Sequence, residues 1–143
     1  MNQLKLNYLH LADGASPDQL GKLSIYGIFE RVILNKVPGK LLKFVAVGNL
    51  KFGKGIGEKI NLKIKITDPS KQDLTMKEPI TASFPVDAKK NKEGGRIGFV
   101  IEIGNLEFKM TGEYQIVVYA NKKKVGIKKL IVTKKGVENE LHN

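Results

Sequence analysis

The feature that most constrains the fold is an alternation of apolar and polar residues with a period of two. It is clearest at residues 59–67, where Ile60, Leu62, Ile64 and Ile66 alternate with lysine, asparagine and threonine. Successive side chains of a β-strand point to opposite faces, so this pattern predicts a strand with one buried face and one lysine-rich solvent face. The same alternation predicts strands at residues 97–103 and 114–121.

The remaining apolar segments predict strands with irregularities. The first strand alternates at Leu4, Leu6 and Tyr8 and changes phase at Leu9 and Leu11, which predicts a bulge. Residues 23–34 are apolar on both sides, which predicts a central strand covered on both faces or one that shifts register at Gly27. Residues 42–52 are also apolar on both faces. Residues 74–86 contain Pro79 and Pro85 and favour an edge position. Residues 125–132 change phase at Lys128 and Lys129, where we expect a second bulge.

Turn residues separate these strands. We expect loops or turns at residues 13–18, 37–40, 53–57, 68–71, 89–95 and 121–123. Many short strands joined by turns predict an all-β fold, an immunoglobulin-like antiparallel β-sandwich of about 7–9 strands. We expect one domain over residues 1–133 and a frayed basic tail over residues 134–143.

A short motif bears on the type of sandwich. Gly112, Tyr114 and Ile116 have the Gly-x-Tyr-x-apolar form of a tyrosine corner, in which a tyrosine precedes a core position by two residues. The alternative, an ordinary core aromatic at Tyr114, stays open at this stage. The predicted core consists of Ile25, Phe29, Phe44, Ile60, Leu62, Ile64, Ile66, Phe99, Ile101, Tyr114, Ile116, Val118 and Ile127.

Several segments resemble a known family. Leu11-Ala12-Asp13 and residues 20–32 (LGKLSIYGIFERV) are similar to the N-terminal signature of an uncharacterised bacterial family of small immunoglobulin-like β-sandwich domains. The similarity continues through residues 66–69 and 105–114. The resemblance implies the sandwich fold, and it implies no activity and no active-site residues.

The sequence offers little for catalysis or metal binding. It contains no cysteine and two histidines, His10 and His142, neither in a metal-binding or catalytic spacing. Glu102 and Glu107 are expected on opposite faces or at a turn, and Asp13 and Asp68 are interpreted as turn formers. The glycine-rich segment 53–57 lacks the spacing of a phosphate-binding loop. We therefore expect a protein that is not an enzyme, with no cofactor and no metal site.

The charge suggests a different kind of chemistry. The formal net charge is +11, and 23 of the 25 basic residues are lysine. Such an excess has two open interpretations: a solvated lysine surface from an A/T-rich genome, or a surface for an anionic partner. The candidate anion-binding patch consists of Lys59, Lys63, Lys65, Lys122, Lys123, Lys124, Lys128 and Lys129. Tyr26, Tyr119 and Phe52 are the aromatic residues expected to face outward.

The sequence therefore predicts a protein-interaction or structural module with an unknown protein partner. The alternative is non-specific binding of nucleic acid or another polyanion through the lysines. The N-terminal residues lack the features of a secretory signal, and no segment is long and apolar enough to span a membrane, so we expect a cytoplasmic protein without membrane contact. The oligomeric state is left open.

Overall fold

The computed structural model describes residues 4–20, 22–87 and 89–136, and in these residues it contains nine β-strands and no helix. Accordingly, none of them forms a helix that is long and apolar enough to cross a membrane. The strands are β1 (Leu4–Pro17), β2 (Leu23–Phe29), β3 (Arg31–Leu34), β4 (Gly39–Phe52), β5 (Lys59–Thr67), β6 (Ile80–Pro85), β7 (Gly95–Phe108), β8 (Gly112–Ala120) and β9 (Lys123–Lys134).

The strands form two sheets. The first sheet has the order β2-β1-β4-β7 and the second has the order β3-β9-β8-β5-β6. All neighbouring strands are antiparallel except β3 and β9, which are parallel. The chain passes repeatedly from one sheet to the other, and the predicted all-β sandwich is confirmed. β6 lies at an edge, as its prolines predicted, although it begins only at Ile80.

A tyrosine corner joins β7 to β8, which makes the sandwich immunoglobulin-like. The hydroxyl of Tyr114 donates a hydrogen bond to the backbone carbonyl of Met110, with an O···O distance of 2.7 Å. The Tyr114 ring packs edge-on against Phe108 at 5.0 Å between centroids, and Ile116 is fully buried two residues later. The interpretation of Tyr114 as a corner residue is therefore confirmed.

The main core lies between the two sheets. Of the predicted core residues, those of β4, β5, β7 and β8 are buried: Phe44, Ile60, Leu62, Ile64, Ile66, Phe99, Ile101, Tyr114, Ile116 and Val118. Phe29 is partly buried and contacts Phe44 with its ring. Phe52, expected to face outward, is 4% exposed and belongs to this core.

A second, smaller cluster lies on the other face of the first sheet. Ala12, Val45 and Val47 are buried there, with Ala15, Leu23 and Ile25 packed against them. Residues near the turn of the β1–β2 hairpin thus pack against Val45 and Val47 on the outer face of β4, which explains why β4 is apolar on both faces. Ile25 belongs to this cluster, so its predicted place in the main core is wrong.

The segment 23–34 is two strands rather than one central strand. β2 is the edge strand of the first sheet, and β3 is the edge strand of the second. Gly27 within β2 has a φ of 68°. The register of β2 against β1 is nevertheless the same on both sides of Gly27, as the pairs Leu11–Phe29 and Pro17–Leu23 show, so the predicted register shift does not occur there. The apolar residues of this segment therefore serve two different sheets.

The loop predicted at residues 13–18 is mostly strand, because β1 continues to Pro17. The turn begins at Asp18, whose Oδ1 accepts hydrogen bonds from the backbone N–H groups of Leu20 and Lys22, both at 2.8 Å. Asp68 forms the predicted turn by the same geometry. Asp13 lies within β1 opposite Gly27, so its assignment as a turn former is wrong.

Both predicted bulges exist as irregularities in a strand pair, but the second is displaced. The register between β1 and β4 shifts between Leu6 and Tyr8, just before the phase change predicted at Leu9. In β9 the shift leaves Val125 as the extra residue, three positions before the predicted site. Gly126 then faces Leu6, since a Cβ on Gly126 would lie 2.4 Å from Leu6 Cδ2.

The displaced bulge reverses the predicted phase of β9. Ile127 pairs with Val117 on the outer face and is 41% exposed, so its predicted place in the core is wrong. Leu130 and Val132 face the core instead. The tail predicted over residues 134–143 lies largely outside the described residues, and Lys134 itself ends β9.

Candidate ligand-binding cleft

An open cleft of about 740 Å³ lies on the outer face of the second sheet. Its floor is formed by β5 and β6. Tyr119 of β8, Lys122 of the β8–β9 turn and Asp73 of the β5–β6 connection contribute the remaining side chains. The lining residues are Asn61, Leu62, Lys63, Lys65, Asp73, Thr81, Ala82, Ser83, Tyr119 and Lys122.

The register of the second sheet aligns one aromatic residue with two lysines. Thr81, Lys63, Tyr119 and Lys124 lie directly opposite one another on four successive strands, β6, β5, β8 and β9. Residues that are opposite each other in an antiparallel pair share a face, with Cβ atoms about 5 Å apart. Tyr119 therefore lies between Lys63 and Lys124 on the outer face. We call these four residues the lysine–tyrosine row.

Lys65 follows Lys63 on the same face, about 7 Å further along β5. It lies opposite Val117, which in turn lies opposite Ile127. Val117 is only 6% exposed although it belongs to the outer face. Burial of Val117 is consistent with the aliphatic part of Lys65 covering it, as long basic side chains do on apolar surfaces.

The β8–β9 turn holds Lys122 at one end of the cleft. Asn121 and Lys122 have φ angles of 47° and 70°, which is the left-handed pair of a type I′ turn. Two hydrogen bonds attach this turn to β5: Asn121 N donates to Asn61 O at 2.8 Å, and Asn61 N donates to Asn121 Oδ1 at 2.9 Å. These two hydrogen bonds therefore fix the backbone of the turn at Lys122 relative to β5 and Lys63.

Asp73 is the carboxylate that lines this cleft. Partial burial raises the pKa of Asp73, but hydrogen bonds from the Thr75 hydroxyl and backbone N–H, and the charges of Lys65 and Lys63, outweigh that effect. The net pKa of Asp73 is lowered, so the carboxylate is ionised at neutral pH. The cleft thus combines three lysines with one carboxylate, and its local charge is positive.

The structure does not gather all eight predicted patch lysines in one place. Lys63, Lys65 and Lys122 line the cleft, Lys124 belongs to the lysine–tyrosine row, and Lys59 lies on the same face of β5 beyond the cleft. Lys123 pairs with Ala120 and has the opposite phase.

Two of the predicted patch lysines are engaged elsewhere. Lys128 has the core-facing phase, and its Nζ lies 3.3 Å from Glu30 Oε1 at the β2–β3 junction. Lys129 Nζ lies 3.8 Å from Glu113 Oε1. These two lysines are therefore not part of the cleft.

The position of Tyr119 beside the lysines of β5 is not predicted from the sequence. Tyr119 lies on an outer face, as predicted, but the strand at residues 59–67 carries no aromatic residue of its own. The missing information was the pairing of β5 with β8, which brings Tyr119 opposite Lys63.

The other candidates for chemistry lie apart from the cleft. The ring of His10 stacks on Tyr8 at 5.5 Å between centroids on β1. Glu102 forms an exposed ion pair with Lys43 at 3.1 Å, on the first sheet. Within residues 4–20, 22–87 and 89–136, no three acidic or histidine side chains come close enough to share a metal ion.

Comparison with protein families gives a match over residues 7–133 to DUF6941, a family of unknown function. The chain belongs to the DUF6941 family. The match covers most of the chain and confirms the resemblance of the sequence to an uncharacterised family. No curated protein matches this DUF6941 chain in sequence.

Solved structures with a similar fold include parts of two larger enzymes. A β-glucosidase from Listeria innocua aligns with a TM-score of 0.50 at 11% identity, over 93% of this chain and 16% of that chain. The alkylpurine DNA glycosylase AlkC of Pseudomonas fluorescens, bound to DNA with an abasic site analog, aligns with a TM-score of 0.52 at 9% identity, over 91% of this chain and 30% of that chain.

A third structure has nearly the length of this chain. An immunoglobulin-like protein of Pseudomonas aeruginosa aligns with a TM-score of 0.42 at 13% identity, over 91% of this chain and 96% of that chain. The DUF6941 chain spans less than a third of the two enzymes. At these identities the similarity to the enzymes shows a shared fold and nothing about activity.

Proposed function

We propose that this DUF6941 protein is a non-enzymatic binding domain that holds an anionic polymer in the cleft of the second sheet. The observation that carries the proposal is the meeting of Lys63, Lys65 and Lys122 around one concave surface that contains a single lining carboxylate, Asp73. These lysines come from two separate parts of the chain, and the fold brings them together.

The chemistry of lysine favours a repeated anion over a single specific one. An ammonium group is a compact point charge on a flexible stem, whereas bidentate recognition of one phosphate or one base edge favours arginine. The cleft is open and lined by lysine alone among basic residues. Binding should therefore depend on charge density and ionic strength and little on sequence.

Salt dependence gives a quantitative test. Each phosphate contact releases counterions, so log K falls with log salt by about 0.7 for each contact to a single strand. Three lysine contacts predict a slope of about −2, and so a roughly twentyfold loss of affinity between about 50 and 200 mM salt. The probe is a labelled abasic oligodeoxynucleotide, which offers phosphates without bases, and the measurement is fluorescence anisotropy.

Two variants with equal charge change locate the binding. Lys63→Glu with Lys122→Glu reverses two charges in the cleft. Lys5→Glu with Lys51→Glu reverses two exposed charges that lie opposite each other on the first sheet. We expect the cleft variant to lose binding and the first-sheet variant to retain most of it. Equal losses would show that net charge alone attracts the probe, and no binding by the wild type at about 50 mM salt would overturn the proposal.

A second candidate function, contact with a protein partner, is favoured by the edge strand β2. Tyr26 and Ile28 on β2 are 58% and 52% exposed, and β2 has one neighbour, β1. An exposed edge with apolar side chains is a template for pairing with another strand. If β2 mediates self-association, Ile28→Lys should shift a dimer towards monomer in analytical ultracentrifugation. A wild type that is monomeric at all concentrations would exclude self-association through β2.

A further inference from the structure

The lysine–tyrosine row places an aromatic side chain, Tyr119, in the cleft, which the binding of anions by charge alone would not need. Tyr119 is partly exposed, lines the cleft and lies between Lys63 and Lys124 on neighbouring strands. A tyrosine that only completed the core would have the phase of Val118 or Ala120, which are fully buried on the other face.

We infer that the cleft accepts single-stranded nucleic acid, with Tyr119 stacking on an unpaired base and the flanking lysines contacting the phosphates. This inference rests on the proposed function and specifies its ligand. Proteins that bind single strands without sequence preference combine a positively charged groove with aromatic side chains on which bases stack.

The spacing of the lysines fits such a strand. Lys63 and Lys65 are two residues apart on one face of β5, about 7 Å along the strand. This distance is similar to the interval between successive phosphates of an extended nucleic-acid strand. Lys122 lies at the end of the cleft, next to Asn121, which is hydrogen-bonded to Asn61, and it offers a further phosphate contact.

The neutral side chains of the cleft also suit a nucleotide. Asn61, Thr81 and Ser83 line it and supply hydrogen-bonding groups beside Tyr119. Ser83 Oγ donates to Asn61 Oδ1 at 2.9 Å, which holds the Asn61 amide in place. An acidic peptide would match the lysines equally well, but most of its residues offer no flat face to Tyr119. The tyrosine therefore favours nucleic acid over an acidic peptide.

The fold of the cleft predicts a preference for unpaired bases. In a duplex each base is stacked and paired, so its face is not offered to Tyr119. A single strand with the same number of phosphates should therefore bind more tightly than a duplex, which is the reverse of what charge density alone predicts.

The decisive experiment compares a thymidine hexanucleotide with an abasic hexanucleotide of equal phosphate number, each titrated with the wild type in fluorescence anisotropy at about 50 mM salt. Stacking of one base predicts roughly fivefold or greater preference for the thymidine strand. Tyr119→Leu should abolish this preference, whereas Tyr119→Phe, which keeps an aromatic face, should retain it. The wild-type comparison needs no variant and remains informative if Tyr119→Leu does not fold.

The outcomes separate the two proposals. Equal affinity of the wild type for the thymidine and abasic strands would overturn base stacking and leave anion binding intact. The same conclusion would follow if a poly-glutamate peptide bound more tightly than the thymidine strand. Equal loss in the leucine and phenylalanine variants would also overturn it, because it would implicate the hydroxyl group. Absence of binding to either strand would overturn the proposed function itself.

Discussion

Replacement of Ile64 by alanine tests the phase of β5, on which both the core and the cleft depend. Ile64 is fully buried and lies between Ile80 and Val118 on the neighbouring strands. The substitution removes three carbon atoms from the core, which costs about 2.4 kcal/mol at about 0.8 kcal/mol for each buried methylene. A residual cavity adds up to about 2 kcal/mol more, so we expect a loss of about 2.5–4.5 kcal/mol in the free energy of unfolding.

The matched control is the preceding residue, Lys63. Lys63 has the opposite phase and is exposed, so Lys63→Ala should change the free energy of unfolding by about 0.5 kcal/mol or less. Urea denaturation followed by circular dichroism measures both variants, and the slope with urea should not change. Two variants of equal stability would refute the reasoning, since a one-residue slip of β5 would exchange its core and solvent faces.

Three further predictions concern the core, the corner and the cleft. Leu130→Ala should lower the free energy of unfolding by about 2–5 kcal/mol and Ile127→Ala by less than about 1 kcal/mol, because the bulge turns Leu130 inward and Ile127 outward. Equal losses for the two variants in urea denaturation would contradict this. Tyr114→Phe should cost about 1–3 kcal/mol, because the carbonyl of Met110 loses its donor. Burial raises the pKa of Tyr114, and the nearby negative charge of Asp68 raises it further. The neutral phenol therefore contributes its full stabilisation to the fold below about pH 10, and this contribution is lost as the pH rises through the pKa of Tyr114 in the folded protein. Above pH 10 the free energy of unfolding should fall more steeply with pH for the wild type than for Tyr114→Phe. Parallel curves of unfolding free energy against pH would contradict the role given to Tyr114. Asp73→Asn keeps an acceptor for Thr75 and removes a carboxylate, so it should tighten binding of an abasic oligonucleotide about two- to threefold; weaker binding would place the ligand elsewhere.

The regular strands could be predicted from the sequence because their pattern is tied directly to burial. In β5 four aliphatic residues alternate with polar ones without interruption, and a one-residue slip would bury lysine. Tyr114 could be predicted because the tyrosine corner is local, with donor and acceptor four residues apart.

The irregular strands could not be predicted because their phase depends on distant contacts. The bulge in β9 falls at Val125 because the type I′ turn fixes the start of the strand and Leu6 packs against Gly126. The two adjacent lysines suggested a later position. Similarly, residues 23–34 gave no sign that their apolar residues divide between two sheets.

The candidate site was predictable in its charges and not in its arrangement. Lys63 and Lys65 share a face by period alone, and Lys122 lies in a turn that the sequence indicates. The meeting of Tyr119 with Lys63 needs the pairing of β5 and β8, and the ion pair that holds Lys128 away from the cleft needs Glu30 at the β2–β3 junction. Neither pairing leaves a local signal in the sequence.

The most direct test of the central claim is to map where a ligand binds. A thymidine hexanucleotide is titrated into the isotope-labelled protein at about 50 mM salt, and amide chemical-shift changes are followed by NMR. The account predicts the largest changes at Lys63, Lys65, Tyr119 and Lys122, on one face of the second sheet. Changes confined to the first sheet or to the loop at residues 89–95 would contradict it, even if the affinity and its salt dependence were as expected.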